Sequence, residues 1–127
     1  MEIRLTEREA DVMAVLWERG PSTVAEVRER LSDDLAYTTV LTILRTLEEK
    51  GYVAHEQEGR AHRYEATVAR ESARRSALQA LTRRFFDGSK ALLLAHLVDD
   101  EKLSDDDMER IKGLLRQRSR PKKGKAR

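Results

Sequence analysis

The chain has 127 residues, 38% of them Asp, Glu, Lys or Arg, with few aromatic side chains and no cysteine. That length holds one full domain or a small domain plus an appendage, and the scarcity of large apolar groups argues for two modest cores over one large one. The absence of cysteine excludes disulfides, thiolate metal sites and thiol nucleophiles, and no run of about 18 apolar residues is present to suggest a membrane span or signal segment. A soluble, cytoplasmic protein is expected.

The first element begins at a capping box, Thr6-Glu7-Arg8-Glu9, in which the Thr6 hydroxyl and the Glu9 carboxylate each satisfy an otherwise free backbone amide. Ala10, Met13, Leu16 and Trp17 follow at helical spacing. Gly20-Pro21 breaks the chain, and Thr23-Val24-Ala25-Glu26 is a second capping box whose helix presents Val24, Val27 and Leu31. After the turn Ser32-Asp33-Asp34, a third helix carries Val40, Ile43, Leu44 and Leu47 in an i, i+3, i+4, i+7 stripe and ends near Gly51. Tyr52 to Glu56 and Arg60 to Ala66 read as two strands around a Gln57-Glu58-Gly59 turn.

The second half differs in kind. Val68 to Phe86 reads as a long helix with Leu78, Leu81 and Phe85 on one side. Asp87-Gly88-Ser89 interrupts it, and Lys90 to Val98 is a short helix rich in leucine, with Leu92, Leu93 and Leu97. A solvated link, Asp99 to Lys102, leads to a last helix capped by Ser104 and carrying Met108, Ile111 and Leu115. These apolar residues have no layer of their own chain to cover them, so they are expected to form a dimer interface with a second copy. Arg116 to Arg127 holds seven basic residues and no acid, and is expected to be a disordered basic tail. The fold class is therefore mainly α with a small β-hairpin. A winged helix-turn-helix over residues 1–67 precedes a helical dimerisation module over 68–117 and the tail from 118.

Three helices followed by an arginine-bearing hairpin is a layout that reads DNA. With the apolar stripe of the third helix turned inward, Thr38, Thr39, Thr42, Arg45 and Glu49 face outward, with Tyr37 at the helix start. Threonine can bond base edges or phosphates and can touch a thymine methyl, and arginine can take a guanine edge or a phosphate. Threonine is a mediocre helix former on an exposed face, so three within five positions point to a use other than helicity. On the hairpin's return strand, Arg60 and Arg63 are candidate phosphate or minor-groove contacts, with His62 between them. Charge distribution argues the other way. Residues 1–66 carry 9 basic against 14 acidic side chains, and residues 67–127 carry 16 against 9. A DNA-reading unit of net −5 must draw its local field from a few placed arginines or from the tail. No nucleophile, base and acid set and no phosphate-binding glycine loop is visible, so an enzyme is not expected. The histidines, His55, His62 and His96, lack the further ligands of a metal site.

The stretches LTEREADVMAVLW, AYTTVLTILRTLEEKGYV and EGRAHRY, with the spacing between them, resemble the penicillinase repressor family of bacteria (the BlaI, MecI and CopY type) from about Leu5 to Leu115. The resemblance implies a homodimer on double-stranded, dyad-symmetric operator DNA that blocks transcription. Thr38, Thr39 and Thr42 match the family's base-reading helix and Arg60 its wing arginine, with Arg45 and Arg63 carried over beside them. No cofactor is implied. The cysteine-rich metal motif of the copper-responsive branch is missing. The β-lactam branch is induced by proteolysis linked to a membrane sensor-protease, at an Asn-Phe bond. The nearest position here is His96-Leu97, which departs from that pair. Two other readings remain open on the residues alone. One is a winged-helix protein-interaction module with only non-specific DNA binding; the other is a small-molecule-responsive regulator.

Overall fold

The computed structural model describes residues 2–100 and 103–119. The elements in chain order are α1 (Glu7–Arg19), β1 (Ser22–Thr23), α2 (Val24–Arg30), α3 (Tyr37–Glu49), β2 (Val53–Glu58), β3 (Ala61–Ala66), α4 (Arg70–Phe85), α5 (Lys90–Asp100) and α6 (Asp105–Ser119). The chain divides into two compact units, one up to Leu81 and one from Thr82. The division falls inside α4, not ahead of it. Residues 116–119, expected in the tail, continue α6; residues 120–127 of the expected tail lie outside the described residues.

In the first unit, both expected capping boxes form. Thr6 Oγ1 accepts from the Glu9 amide at 3.2 Å while the Thr6 amide donates to Glu9 Oε1 at 2.9 Å. The same reciprocal pair joins Thr23 and Glu26 at 3.2 and 3.0 Å. Val12, Met13 and Leu16 from α1, Val24 and Val27 from α2 and Val40, Leu44 and Leu47 from α3 then form one buried cluster, closed by Tyr52, Val53 and Tyr64. Trp17 lies half-buried at the edge of that cluster, where its indole donates to the Val68 carbonyl at 2.9 Å.

The third helix ends in a Schellman turn. Gly51 sits at φ +87°, its amide donates to the Glu48 carbonyl and the Tyr52 amide to the Leu47 carbonyl, each at 3.0 Å. The left-handed glycine reverses the chain straight into β2. The sheet has three antiparallel strands in the order β1-β3-β2, not the two expected. The extra strand is only Ser22 and Thr23, paired with Tyr64 and Arg63. Two residues carry no period, so this strand has no signature in the sequence.

The helix α4 is bound into the first unit by more than its connection. Ala73 belongs to the buried cluster. The buried Ser76 hydroxyl accepts from the Ile3 amide at 2.7 Å and lies 3.2 Å from the Ile3 carbonyl, to which it donates. Arg70 lies over the Trp17 ring at 5.6 Å from its centroid.

In the second unit, Asp87 and Gly88 take positive φ, the Gly88 amide donates to the Thr82 carbonyl at 2.9 Å, and α5 starts at once. Ser89 caps α5 through the Leu92 amide, and Ser104 caps α6 through the Asp107 amide, each at 3.0 Å. Leu78, Leu81, Phe85, Leu92, Leu97 and Leu115 are exposed in the single chain, Phe85 to 73%. Met108 and Ile111 are half-buried. Leu93, grouped with them on sequence grounds, is already covered to 8% exposure by its own chain. His96 and Leu97 lie within α5, where His96 meets Phe86 edge to face at 5.2 Å.

One ion pair locks the two ends of the helix-turn-helix together. Lys50, the C-cap of α3, places Nζ 2.8 and 3.0 Å from the two oxygens of Glu9 in the α1 capping box. Burial raises the Glu9 carboxyl, but the hydrogen bonds from Lys50 and from the Thr6 backbone, with the Lys50 charge, outweigh it and leave the group below its ordinary range. A lowered folded value stabilises the fold above the unfolded carboxylate value, and that contribution is lost as pH falls through the folded one. Lys50→Met is therefore expected to cost about 1–2 kcal/mol at pH 7. Denaturant unfolding followed by circular dichroism should show the gap to the unsubstituted protein closing below about pH 4. A gap that persists unchanged at pH 3 would mean that Lys50 acts by packing alone.

Candidate nucleic-acid interface

The inward turn of Val40, Leu44 and Leu47 leaves Tyr37, Thr38, Thr39, Thr42, Arg45 and Glu49 exposed on α3. The sequence-derived outward face is thus one continuous surface. Its N-terminus is open. Ala36 is the N-cap and supplies no side-chain bond, whereas α1 and α2 are closed by capping boxes and α5 and α6 by serines. The first intrahelical donor after Ala36 is Val40, so the amides of Tyr37, Thr38 and Thr39 have no partner within the helix. An acceptor of negative charge suits that position.

The hydroxyl of Thr42 donates to the Thr38 carbonyl at 2.9 Å. Its oxygen lone pairs and its methyl stay available, and rotation of one bond releases the donor. Further along, Arg45 lies by the hydroxyl of Tyr64, which is buried at the root of the wing. Burial raises the Tyr64 hydroxyl, with the negative Glu48 reinforcing the shift and the positive Arg45 opposing it. Arg45 therefore borders both the outward face of α3 and the wing.

The wing's tip is one residue later than the sequence suggested. Glu58 pairs with Ala61, so Glu58 is still strand and the reversal is made by Gly59 and Arg60. Gly59 takes φ +63°, the left-handed conformation such a tight hairpin requires. Arg60 thus occupies the turn itself, not the return strand as expected. It is exposed and makes no hydrogen bond or ion pair with the other described residues.

Arg63 is placed differently. Its Nε and Nη2 lie 2.9 and 2.8 Å from Glu58 Oε1, and its Nη1 lies 3.2 Å from the Pro21 carbonyl and 3.3 Å from Glu26 Oε1. The hydrogen bond and charge of Glu58, with Glu26 adding to them, hold its guanidinium further on the protonated side. Sequence reasoning missed this network, whose partners are up to 42 residues apart. On the other face of the hairpin, His55 and His62 stack at 4.4 Å, and His55 Nδ1 meets Glu48 Oε2 at 2.7 Å. Among the described residues no three His, Cys, Asp or Glu side chains converge as a metal site, and no helix is long and apolar enough to cross a membrane.

Part of the acidity of this unit is organised, while Glu49 stays exposed on the outward face of α3. Glu9, Glu26, Asp33, Glu48 and Glu58 each meet a cationic or histidine partner. Those partners are mostly away from the outward face of α3, where Arg45 stands, and from the wing tip, where Arg60 stands.

Comparison with known proteins agrees with this geometry. A family model described as penicillinase repressor matches residues 5–117. The transcriptional regulator BlaI of Mycobacterium tuberculosis is 40% identical over 100 residues, covering 76% of this chain and 72% of that protein. The penicillinase repressor of Bacillus licheniformis is 23% identical over 94% of this chain and 95% of its own. Among solved structures, the YusO protein of Bacillus subtilis superposes with a TM-score of 0.53 at 18% identity, over 91% of this chain and 74% of that one. A MarR family protein of Bacillus stearothermophilus gives 0.51 at 21% identity, over 91% and 73%. These two likenesses establish the mainly helical winged-helix fold. The chain belongs to the penicillinase repressor family, whose members are DNA-binding transcriptional regulators and not enzymes.

Proposed function

We propose that this protein is a homodimeric repressor that occupies a dyad-symmetric operator overlapping a promoter. The observation that carries this reading is the pairing of an open, threonine-lined α3 with a wing whose turn residue, Arg60, is uncommitted. In it, Thr38, Thr39 and Thr42 read base edges, the first-turn amides and Tyr37 take a phosphate, and Arg45 and Arg60 supply the local positive field. The name of one relative, penicillinase repressor, supports target genes in β-lactam resistance; genes of the response to cell-envelope stress are the broader alternative. Release of repression through a membrane sensor-protease system, with the repressor itself in the cytoplasm, is what the family resemblance implies. Cleavage at His96-Leu97 would require α5 to open first, since a protease needs an extended substrate and this bond lies within a helix.

The exposed apolar residues of α4, α5 and α6 support the dimer. Leu78, Leu81 and Phe85 fall at i, i+3 and i+7 on α4, and a monomer rarely leaves such a row in water. Leu92, Leu97 and Leu115 extend the apolar surface of the C-terminal helices, with Met108 and Ile111 contributing from half-buried positions. Leu93 supports the protomer's own packing instead.

Footprinting of the protein on its own upstream DNA is expected to protect two half-sites about 34–36 Å apart or a multiple of that. Thr42→Ala, which favours the helix and so leaves folding intact, is expected to weaken operator binding about tenfold and scrambled DNA hardly at all. Equal losses on both DNAs would exclude base reading by Thr42 and favour a protein partner for the winged helix. Phe85→Asp removes no buried contact of the single chain. It is expected to give monomers in sedimentation and to lower operator affinity by about 10²–10⁴ as the linkage between half-sites is lost. Full dimer mass in this variant would place the interface elsewhere.

A further inference from the structure

Arg63 faces the base of the helix-turn-helix and the wing tip at once. It stands opposite Thr23 in the β1–β3 pairing, so the main chain already joins the wing to the start of α2 there. Its side chain repeats the link through the Pro21 carbonyl at 3.2 Å and Glu26 at 3.3 Å. Glu26 is a junction: one oxygen accepts from the Thr23 amide at 3.0 Å and from Arg63, and the other meets Arg19 of α1 at 3.4 Å. At its far side the guanidinium holds Glu58, the last residue of β2 before the turn that carries Arg60.

Two physical consequences follow. Arg19, Glu26, Glu58 and Arg63 sum to zero charge, so this group offers a phosphate no net attraction. A phosphate that captured Arg63 would also release Glu58 beside the DNA backbone, where its charge repels. A guanidinium with planar, fixed donors suits the opposite task of fixing several acceptors in one geometry, which an ammonium cannot do.

We infer that Arg63 is a positioning residue for DNA binding: through Glu26 and Glu58 it sets the angle of the wing against α2 and hence where Arg60 falls, without itself neutralising a phosphate. This inference rests on the DNA-binding reading above.

The test measures binding of Arg63→Met, Arg63→Lys, Glu26→Gln and Arg60→Met to operator and scrambled DNA across a salt series. Loss of one phosphate contact lowers the slope of log affinity against log salt by about 0.9, and Arg60→Met is expected to show that drop. Arg63→Met is expected to lose about tenfold in operator affinity with its slope unchanged. Arg63→Lys should behave like it, because the charge remains while the bridge does not. Glu26→Gln is the sharper variant. Glutamine can keep the capping box, and removing an acid from a DNA-binding unit should by charge alone tighten binding to both DNAs. Loss of operator preference is expected instead.

A slope drop of about 0.9 in Arg63→Met that lysine restores would overturn the inference and make Arg63 a phosphate contact. Tighter binding of Glu26→Gln to both DNAs would overturn it as well. Hydrogen exchange on the free protein reads the lock without DNA: β3 amides should exchange faster in Glu26→Gln, and unchanged protection counts against the lock even if the repressor reading stands. An unsubstituted protein with no preference for operator would sink the DNA-binding reading, and the positioning role with it.

Discussion

The inward turn of the α3 stripe is the constraint on which the remaining structure depends. Val40, Leu44 and Leu47 have almost no exposure, and α1, α2 and the sheet all close over them. A helix has one azimuth, so burying this stripe decides which side chains remain outside. Thr38, Thr39, Thr42 and Arg45 form the outward face because they lie away from the buried positions. A one-residue slip would rotate α3 by about 100° and carry the threonines toward the core. The apolar burial that holds the unit together thus also decides which side chains α3 exposes.

Charge organisation reduces an apparent conflict, although exposed Glu49 shares the outward face of α3 with Arg45. A unit with 14 acidic and 9 basic side chains should repel DNA if charge were uniform. It is not uniform. Acids serve as capping groups, in Glu9 and Glu26, or as anchors for cations that tie elements together, in Asp33 and Glu58. Such pairs shape the unit at the helix starts and along the hairpin. Arg45 and Arg60 stand on the outward face of α3 and at the wing tip. A phosphate a few ångströms away responds to those nearest groups more than to net charge, because salt screens the rest within about 10 Å.

The C-terminal helices follow a different logic. They are capped by serines and turned by Asp87 and Gly88, so each is locally well specified. Among the described residues, Leu81, Phe85, Leu92 and Leu97 stay exposed. Local propensity makes the helices, and the apolar surface they leave open is what the proposed dimer would cover.

Much of the fold was legible in the residues. Both capping boxes, the α3 stripe, the Gly51 stop and the turn before α5 come from short-range patterns, because helix periodicity and capping are local physics; the family came from resemblance. The threonine face was legible for the same reason. Other features were decided only by the tertiary structure. Ser22 and Thr23 become a strand only because Tyr64 and Arg63 lie beside them. Arg60 became the turn residue through the β2–β3 register, which ladder pairing and Gly59 set together. Lys50 found Glu9 across 41 positions. Arg63, a neighbouring arginine on the same hairpin, was drawn into the Glu26 and Glu58 network while Arg60 was left free. The physical reason is the same in each case. A periodic pattern records which face of an element is apolar, but the partner of a polar side chain depends on which distant residue folding brings within about 3 Å.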